Sequence, residues 1–261
     1  MKPNKNMRLG VISALHEEQH GLVEAMQSPA RLMHGMREYA LGQIDGIDAV
    51  CVLSRIGKVA AASTATTLVE KFGVTHILFT GVAGAGDIHV KVGDLVIAES
   101  LVQYDMDASP LFPRFEVPLT GISHFQSDVH LTERLASAAY GFLDIDFEHA
   151  IDAQERVAFS LTRPGIHRGL IGSADRFMDD KQQLIQLNQQ LPGLLAVEME
   201  GAAVAQVCFE LGVPFAVIRS ISDNANENAA TDFMRFVKSV AARYAFHIVR
   251  RFCAELHSEM Q

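Results

Sequence analysis

A chain of 261 residues, 49% of them hydrophobic, is long enough to bury a full core as one large α/β domain or two small ones. Its 31 acidic residues outnumber 22 basic ones, for a formal charge of -9, and no run of Lys or Arg forms a stripe that would neutralise phosphates, which argues against a nucleic-acid partner. Apolar runs break well before the roughly 18 residues a membrane helix requires, and Cys51, Cys208 and Cys253 stand in apolar stretches without metal-ligand spacing, so a cytoplasmic, soluble protein with reduced thiols, no disulfide, no metal and no membrane association is expected.

Residues 1–6 are polar and short, unlike the apolar core of a signal peptide. Residues 8–14 read as a buried strand and 16–27 as a helix, so a strand end meets a helix start near Leu15, a natural position for a site. Asp45-Gly46, between strand-like runs at 39–44 and 47–54, supplies the positive φ angles of a tight hairpin. Residues 58–72 carry Ala, Thr and Leu with no interior Gly or Pro, and Gly73 follows where a helix C-terminus favours it. Short apolar runs at 75–80, 94–98, 168–172, 195–197 and 215–222 have the character of strands covered on both faces, and helix-like spacing recurs at 131–140, 181–190, 201–211 and 231–256. The alternation predicts one α/β domain over residues 7–257; residues 108–164, punctuated by Pro110, Pro113, Pro118 and Gly121, read as an extended loop and helical insertion. No internal repeat is visible.

Four stretches carry candidate chemistry. Thr80 to Gly86 follows a strand with G-x-x-G-x-G spacing; it does not open a helix as a dinucleotide-binding turn would, and it reads either as a structural turn or as backbone that a ligand approaches closely. Glu17 and Glu18 sit just after the first strand, where a favourable charge at a helix N-terminus accounts for them taken alone. Glu198 and Glu200 lie in an apolar run where an unpaired carboxylate is costly, so a polar ligand or a distant Arg or Lys must compensate. Asp223 ends an apolar strand and precedes Asn224, Asn226 and Asn228; it reads as a turn aspartate or as part of a pocket shared with the Thr80 loop, provided their strands are parallel neighbours. Arg219, four residues earlier on the same strand face, is positioned to orient or neutralise a carboxylate.

Together these stretches resemble the methylthioadenosine and S-adenosylhomocysteine nucleosidases of the nucleoside phosphorylase superfamily. The likeness runs through nearly the whole chain: Gly10 to Glu18, Ser54-Arg55-Ile56-Gly57-Lys58 and on to Ala62, Thr80 to Gly86, Val92-Gly93-Asp94, Val197 to Glu200, and Arg219 to Asp223. The resemblance implies a three-layer α/β/α domain with a mixed, partly barrel-like central sheet, a purine nucleoside substrate, no cofactor, and a homodimer. It implies that Glu18 orients and deprotonates the attacking water and that Asp223, helped by Ser222, donates a proton towards N7 of adenine. Glu200 and Met199 fall at the ribose-binding positions, Phe177 and Met178 at those that hold the purine, and Ile56 and Phe233 where an apolar pocket receives the 5' substituent. Val82, Ala83 and Gly84 would line the same pocket, and Phe112, Pro113 and Phe115 correspond to a segment that reaches a neighbouring subunit.

Three positions depart from the family pattern: Val82 replaces a frequent serine, Tyr104 a frequent histidine, and Arg55 a frequent glycine. Arg114, between aromatic residues, either faces solvent or recognises an acidic 5' tail. The alternatives to a hydrolase acting on an adenine nucleoside are a phosphate-dependent phosphorylase of the same superfamily, a futalosine hydrolase, and a silent nucleoside-binding module. Against the phosphorylase, His16, Glu17 and Glu18 stand where phosphate would require cations and the Thr80 stretch carries no arginine; Arg55 alone speaks for it.

Overall fold

Leu9 and Val11 of the first strand, β1 (Arg8–Ser13), alternate with Gly10 and Ile12, so one strand feeds two cores on opposite faces of the sheet. The computed structural model describes residues 7–19, 21–225 and 229–261; residues 1–6, His20 of the first predicted helix, and Asn226 and Asn228 of the polar loop lie outside them. Strand β1 lies between β4 (Ile47–Leu53) and β5 (His76–Ala85), parallel to both. β3 (Arg37–Ile44) and β2 (Gln27–His34) extend the sheet antiparallel beyond β4. On the other side the sheet curls closed through β10 (Phe215–Asp223), β6 (Leu95–Gln103), β8 (Ile166–Ser173) and β9 (Leu194–Glu198), because β5 pairs with both β9 and β10. The result is a mixed sheet with a five-stranded, barrel-like closure; a short β7 (His124–Gln126) hangs on β6.

Helices α2 (Lys58–Phe72) and α7 (Gly201–Leu211) cover the face that receives Ile12. Helices α3 (Val129–Gly141) and α9 (Ala242–Met260) cover the face that receives Leu9 and Val11, completing three layers. Gly73 ends α2 in the left-handed region, and Asp45 and Gly46 both take positive φ in the hairpin turn between β3 and β4. In the segment 108–164, residues from α3 onward are built into the main core: Leu131, Leu135, Phe142 and, in α4 (Phe147–Ala150), Phe147 are buried with Phe252 and Leu256 of α9; α5 (Ala153–Ala158) follows, and α6 (Lys181–Gln190) comes between β8 and β9.

Several elements differ from the sequence expectation. The helix expected over 16–27 is only α1 (His16–Gln19), because Gly21 at φ 83 turns the chain out of helical space and Gln27 already begins β2. β2 is exposed along its whole length and pairs only with β3, so it carries none of the apolar alternation that marks a half-buried strand. The glycine-rich stretch after Thr80 is not a loop: β5 continues through Ala85, paired with β10. The last predicted helix is interrupted: α8 (Ala229–Phe236) joins α9 through a π-helical turn at Val237–Ala241.

Candidate active site

The carboxyl end of the parallel strands β1, β5 and β10 opens into a cleft with about 680 Å³ of empty space, part of it open to solvent. This is where parallel strands leave room for ligands. The β1–α1 junction contributes Ala14, Leu15 and Glu18; β5 contributes Val82, Ala83 and Gly84; the end of β10 contributes Asp223. The segment after β9 brings Met199 and Glu200, the one after β8 brings Phe177 and Met178, the turn before α2 brings Ile56, and α8 brings Phe233, which meets Phe177 edge-on at 5.8 Å. Of the catalytic and substrate-binding positions that the resemblance implies for this chain's own pocket, Ser222 alone is not in the lining; it stands behind the wall, fully buried.

Glu18 is held by backbone alone. Its Oε2 accepts the N–H groups of Ala14 and Leu15, both at 2.8 Å, and Oε1 accepts that of Val82 at 3.1 Å. Burial pushes its pKa up; the three amides and the nearby Arg219 pull in the opposite direction without cancelling it. A carboxyl whose proton affinity moves towards the working pH is the better general base. Gly81 makes this placement possible, because a Cβ there would lie 2.9 Å from Glu18 Oε1.

Asp223 is aimed by a bulge. The register between β10 and β5 slips between Ile221 and Asp223, which sets Asp223 opposite Gly84, where a Cβ would come within 2.9 Å of Asp223 Oδ1. Ser222 Oγ donates to Asp223 Oδ2 at 2.8 Å and has Ala83 O as a second acceptor at 3.3 Å, while Ala225 N–H donates to Oδ1 at 2.9 Å. The hydroxyl, able to turn between two acceptors, suits an Asp223 side chain in either protonation state.

Glu198 and Glu200 divide the two explanations offered for them. Glu198 forms a buried ion pair with Arg219 at 2.7 Å and also accepts from Ser173 Oγ and from the N–H groups of Glu200 and Gly201. The Arg219 guanidinium also stacks on the Phe79 ring, 4.0 Å from its centroid. Glu200 faces the cleft and accepts the Gly57 N–H at 2.8 Å. Burial and the adjacent Glu198 charge push the Glu200 pKa up to about 8. Polar ligand groups that bind this carboxyl therefore meet a site with unused hydrogen-bonding capacity.

Arg176 and Gly57 were not assigned to the site from sequence, although each adjoins a residue that was, Phe177 and Ile56; Leu15 lies at the strand–helix junction expected to hold a site. Tyr104 also lines the cleft, with its ring buried and its phenol pKa raised by burial. Arg114 sits apart from the cleft over the ring of Phe115 and 3.7 Å from Asp107, and Phe115 itself is buried in a small core with Tyr104 and Met178.

The family model described as the phosphorylase superfamily matches residues 8–254. A 5'-methylthioadenosine/S-adenosylhomocysteine nucleosidase of Shewanella denitrificans is 32% identical over 93% of this chain and 97% of its own length. The crystal structure of the Neisseria meningitidis enzyme of that name, in complex with methylthio-immucillin-A, superposes with a TM-score of 0.83 at 30% identity, covering 95% of this chain and 99% of its own. A futalosine hydrolase of Helicobacter pylori superposes with a TM-score of 0.79 at 30% identity, covering 94% and 97%.

Proposed function

The chain belongs to the phosphorylase superfamily, among relatives that are 5'-methylthioadenosine/S-adenosylhomocysteine nucleosidases, and from that membership we propose that it hydrolyses the N-glycosidic bond of such an adenine nucleoside, with Glu18 as base and Asp223 as acid. The observation that carries these roles is that both carboxyl groups line one cleft, Glu18 against Gly81 and Asp223 against Gly84 of the same strand, β5. As C1' takes on oxocarbenium character, water attacks it and the C1'–N9 bond breaks with its electron pair passing into the purine. Glu18 accepts the proton lost by water and Asp223 delivers one to N7, so the base leaves neutral. Exchange with solvent then restores both groups. Glu200 and Met199 hold the ribose, Phe177 and Met178 the purine, and Leu15, Ile56 and Phe233 form the apolar end that suits a 5' thioether.

Phosphorolysis is the poorer reading on charge. Glu18, Glu198, Glu200 and Asp223 line the cleft, and Arg176 is the only cation among the described lining residues. Arg219, which lies near Glu18, is already engaged by Glu198. A phosphate dianion at Glu18 would meet net repulsion. The Gly81→Ala variant tests the base. Its Cβ would press on a carboxylate that three amides hold in place, so turnover is expected to fall roughly 10²-fold, the scale of an ångström-sized misplacement, in a protein that still folds. Full activity in that variant would exclude Glu18 from the reaction.

The substrate is tested by mixing the protein with 5'-methylthioadenosine, S-adenosylhomocysteine, adenosine, inosine and futalosine in phosphate-free buffer and following free base by chromatography. Adenine release from the two thioether nucleosides, at rates unchanged by added phosphate, is expected; absolute dependence on phosphate would overturn hydrolysis. This activity belongs to nucleoside catabolism and methionine salvage, and we assign it to a cytoplasmic homodimer. The buried thiols Cys51, Cys208 and Cys253 suit a reducing compartment, and the apolar side chains of Ile56, Val59 and Leu111, exposed at 54%, 81% and 84%, suit coverage by a second copy.

A further inference from the structure

Next to the apolar end of the cleft lies a second pocket, with about 830 Å³ of empty space, part of it open to solvent, and Ala14 lines both. The chain passes from one to the other twice: Leu15 lines the cleft and His16 the second cavity, and Ile56 lines the cleft and Arg55 the second cavity. Three arginines, Arg31, Arg37 and Arg55, line it against Glu24 and Glu38, a positive balance in a chain whose formal charge is -9. Arg31 pairs with Glu38 at 2.6 Å, and Arg37 donates to the carbonyl oxygens of Gly35, Ser54 and Ala60, which fixes the turn carrying Arg55.

Arg55 is not engaged in that way. It is exposed and has no carboxylate partner among the described residues; its Nη2 donates to Met36 O at 2.7 Å, which leaves most of a guanidinium's five N–H donors available. Its backbone stands at φ 70, a left-handed conformation that glycine adopts freely and that a residue with a Cβ adopts at a cost. A strained non-glycine residue beside a binding cleft points to a role for its side chain.

We propose that Arg55, backed by Arg37, receives a carboxylate at the end of the substrate's 5' substituent, and that the enzyme thereby selects adenine nucleosides with an anionic 5' tail over neutral tails of equal length. This rests on the nucleosidase reading of the cleft. If Glu200 holds the ribose and Asp223 the purine, the 5' substituent is directed to Leu15 and Ile56, whose chain neighbours His16 and Arg55 line the second pocket, so a longer tail would reach that pocket. The guanidinium fork takes a carboxylate through two parallel hydrogen bonds.

The test compares kcat/KM for two 5'-thioether adenosines of matched length, one ending in a carboxylate and one in its primary amide, in the wild type, Arg55→Gly and Arg55→Glu. Arg55→Gly relieves the backbone strain and keeps the turn, so loss of folding does not obscure the result. The wild type is expected to favour the carboxylate roughly tenfold, through KM, the scale of one hydrogen bond to a charged group. That preference is expected to vanish in Arg55→Gly and to reverse in Arg55→Glu. A wild-type ratio near one, or a ratio that Arg55→Gly leaves unchanged, overturns the proposal while leaving hydrolysis standing; no turnover of either compound overturns both. Inorganic phosphate is expected to accelerate neither reaction; acceleration lost in Arg55→Gly would mean that the cavity serves a nucleophile and would overturn the proposal.

Discussion

Replacing Asp223 by asparagine is expected to slow adenine release by at least about 10²-fold while leaving the fold intact. The tolerance follows from the hydrogen bonds. Asparagine Oδ1 keeps the Ala225 N–H, and its Nδ2 can donate to Ser222 Oγ, whose hydroxyl turns to its other acceptor, Ala83 O at 3.3 Å. Each of these three described hydrogen bonds keeps a partner in the variant, so the melting temperature is expected to stay within a few degrees of the wild type. The rate cannot be preserved in the same way, because an amide has no ionisable proton for N7 and the purine must then leave as an anion. Turnover within a few-fold of wild type, measured on protein with an unchanged melting curve, would remove Asp223 from the chemistry.

Glu18→Gln is expected to cost at least a similar factor in kcat, with a measurable loss of stability that Asp223→Asn does not share. The carboxylate accepts three backbone N–H groups, two on Oε2 and one on Oε1. A carboxamide has one acceptor oxygen, so its NH2 group must face an N–H, and at least one buried donor is left unsatisfied at a cost of about 1–3 kcal/mol. The remaining side chain cannot accept a proton from water at neutral pH. Comparing the two variants by kcat and by melting temperature separates the roles: both lose rate and only Glu18→Gln loses stability. A Glu18→Gln enzyme that turns over normally would show that water is activated elsewhere.

Much of this arrangement was legible in the sequence because it follows from local signals. Asp45-Gly46 specified a hairpin through its two positive φ angles, and Gly73 specified the end of α2. Parallel pairing of β5 with β10, left as a condition by the sequence, brings the Thr80 stretch and Asp223 to one cleft. What escaped notice depends on contacts between distant segments. β2 has no apolar face because it pairs only at the sheet edge, so no periodicity announced it. The glycines after Thr80 looked like a loop, whereas their function is to omit two Cβ atoms from a continuing strand, at Gly81 for Glu18 and at Gly84 for Asp223. Nor could spacing settle which of Glu198 and Glu200 would be neutralised. That choice depends on Arg219, which closes on Glu198 across the barrel, leaving Glu200 to face the cleft with the Gly57 N–H.

The four carboxyl groups around the cleft also explain why one cation is buried so deeply. Arg219 is 1% exposed, and an unpaired guanidinium there would be costly; paired with Glu198 and stacked on Phe79, it lowers the proton affinity of Glu18 and Glu200 without entering the cleft.

The most direct measurement follows the oxygen of the attacking nucleophile. With 5'-methylthioadenosine in H2 18O and millimolar phosphate present, mass spectrometry of the early sugar product is predicted to find one 18O, introduced at C1', equimolar free adenine and no sugar phosphate, all abolished together in Asp223→Asn. A sugar 1-phosphate without 18O would mean that phosphate is the nucleophile and would contradict a hydrolase built on Glu18 and Asp223.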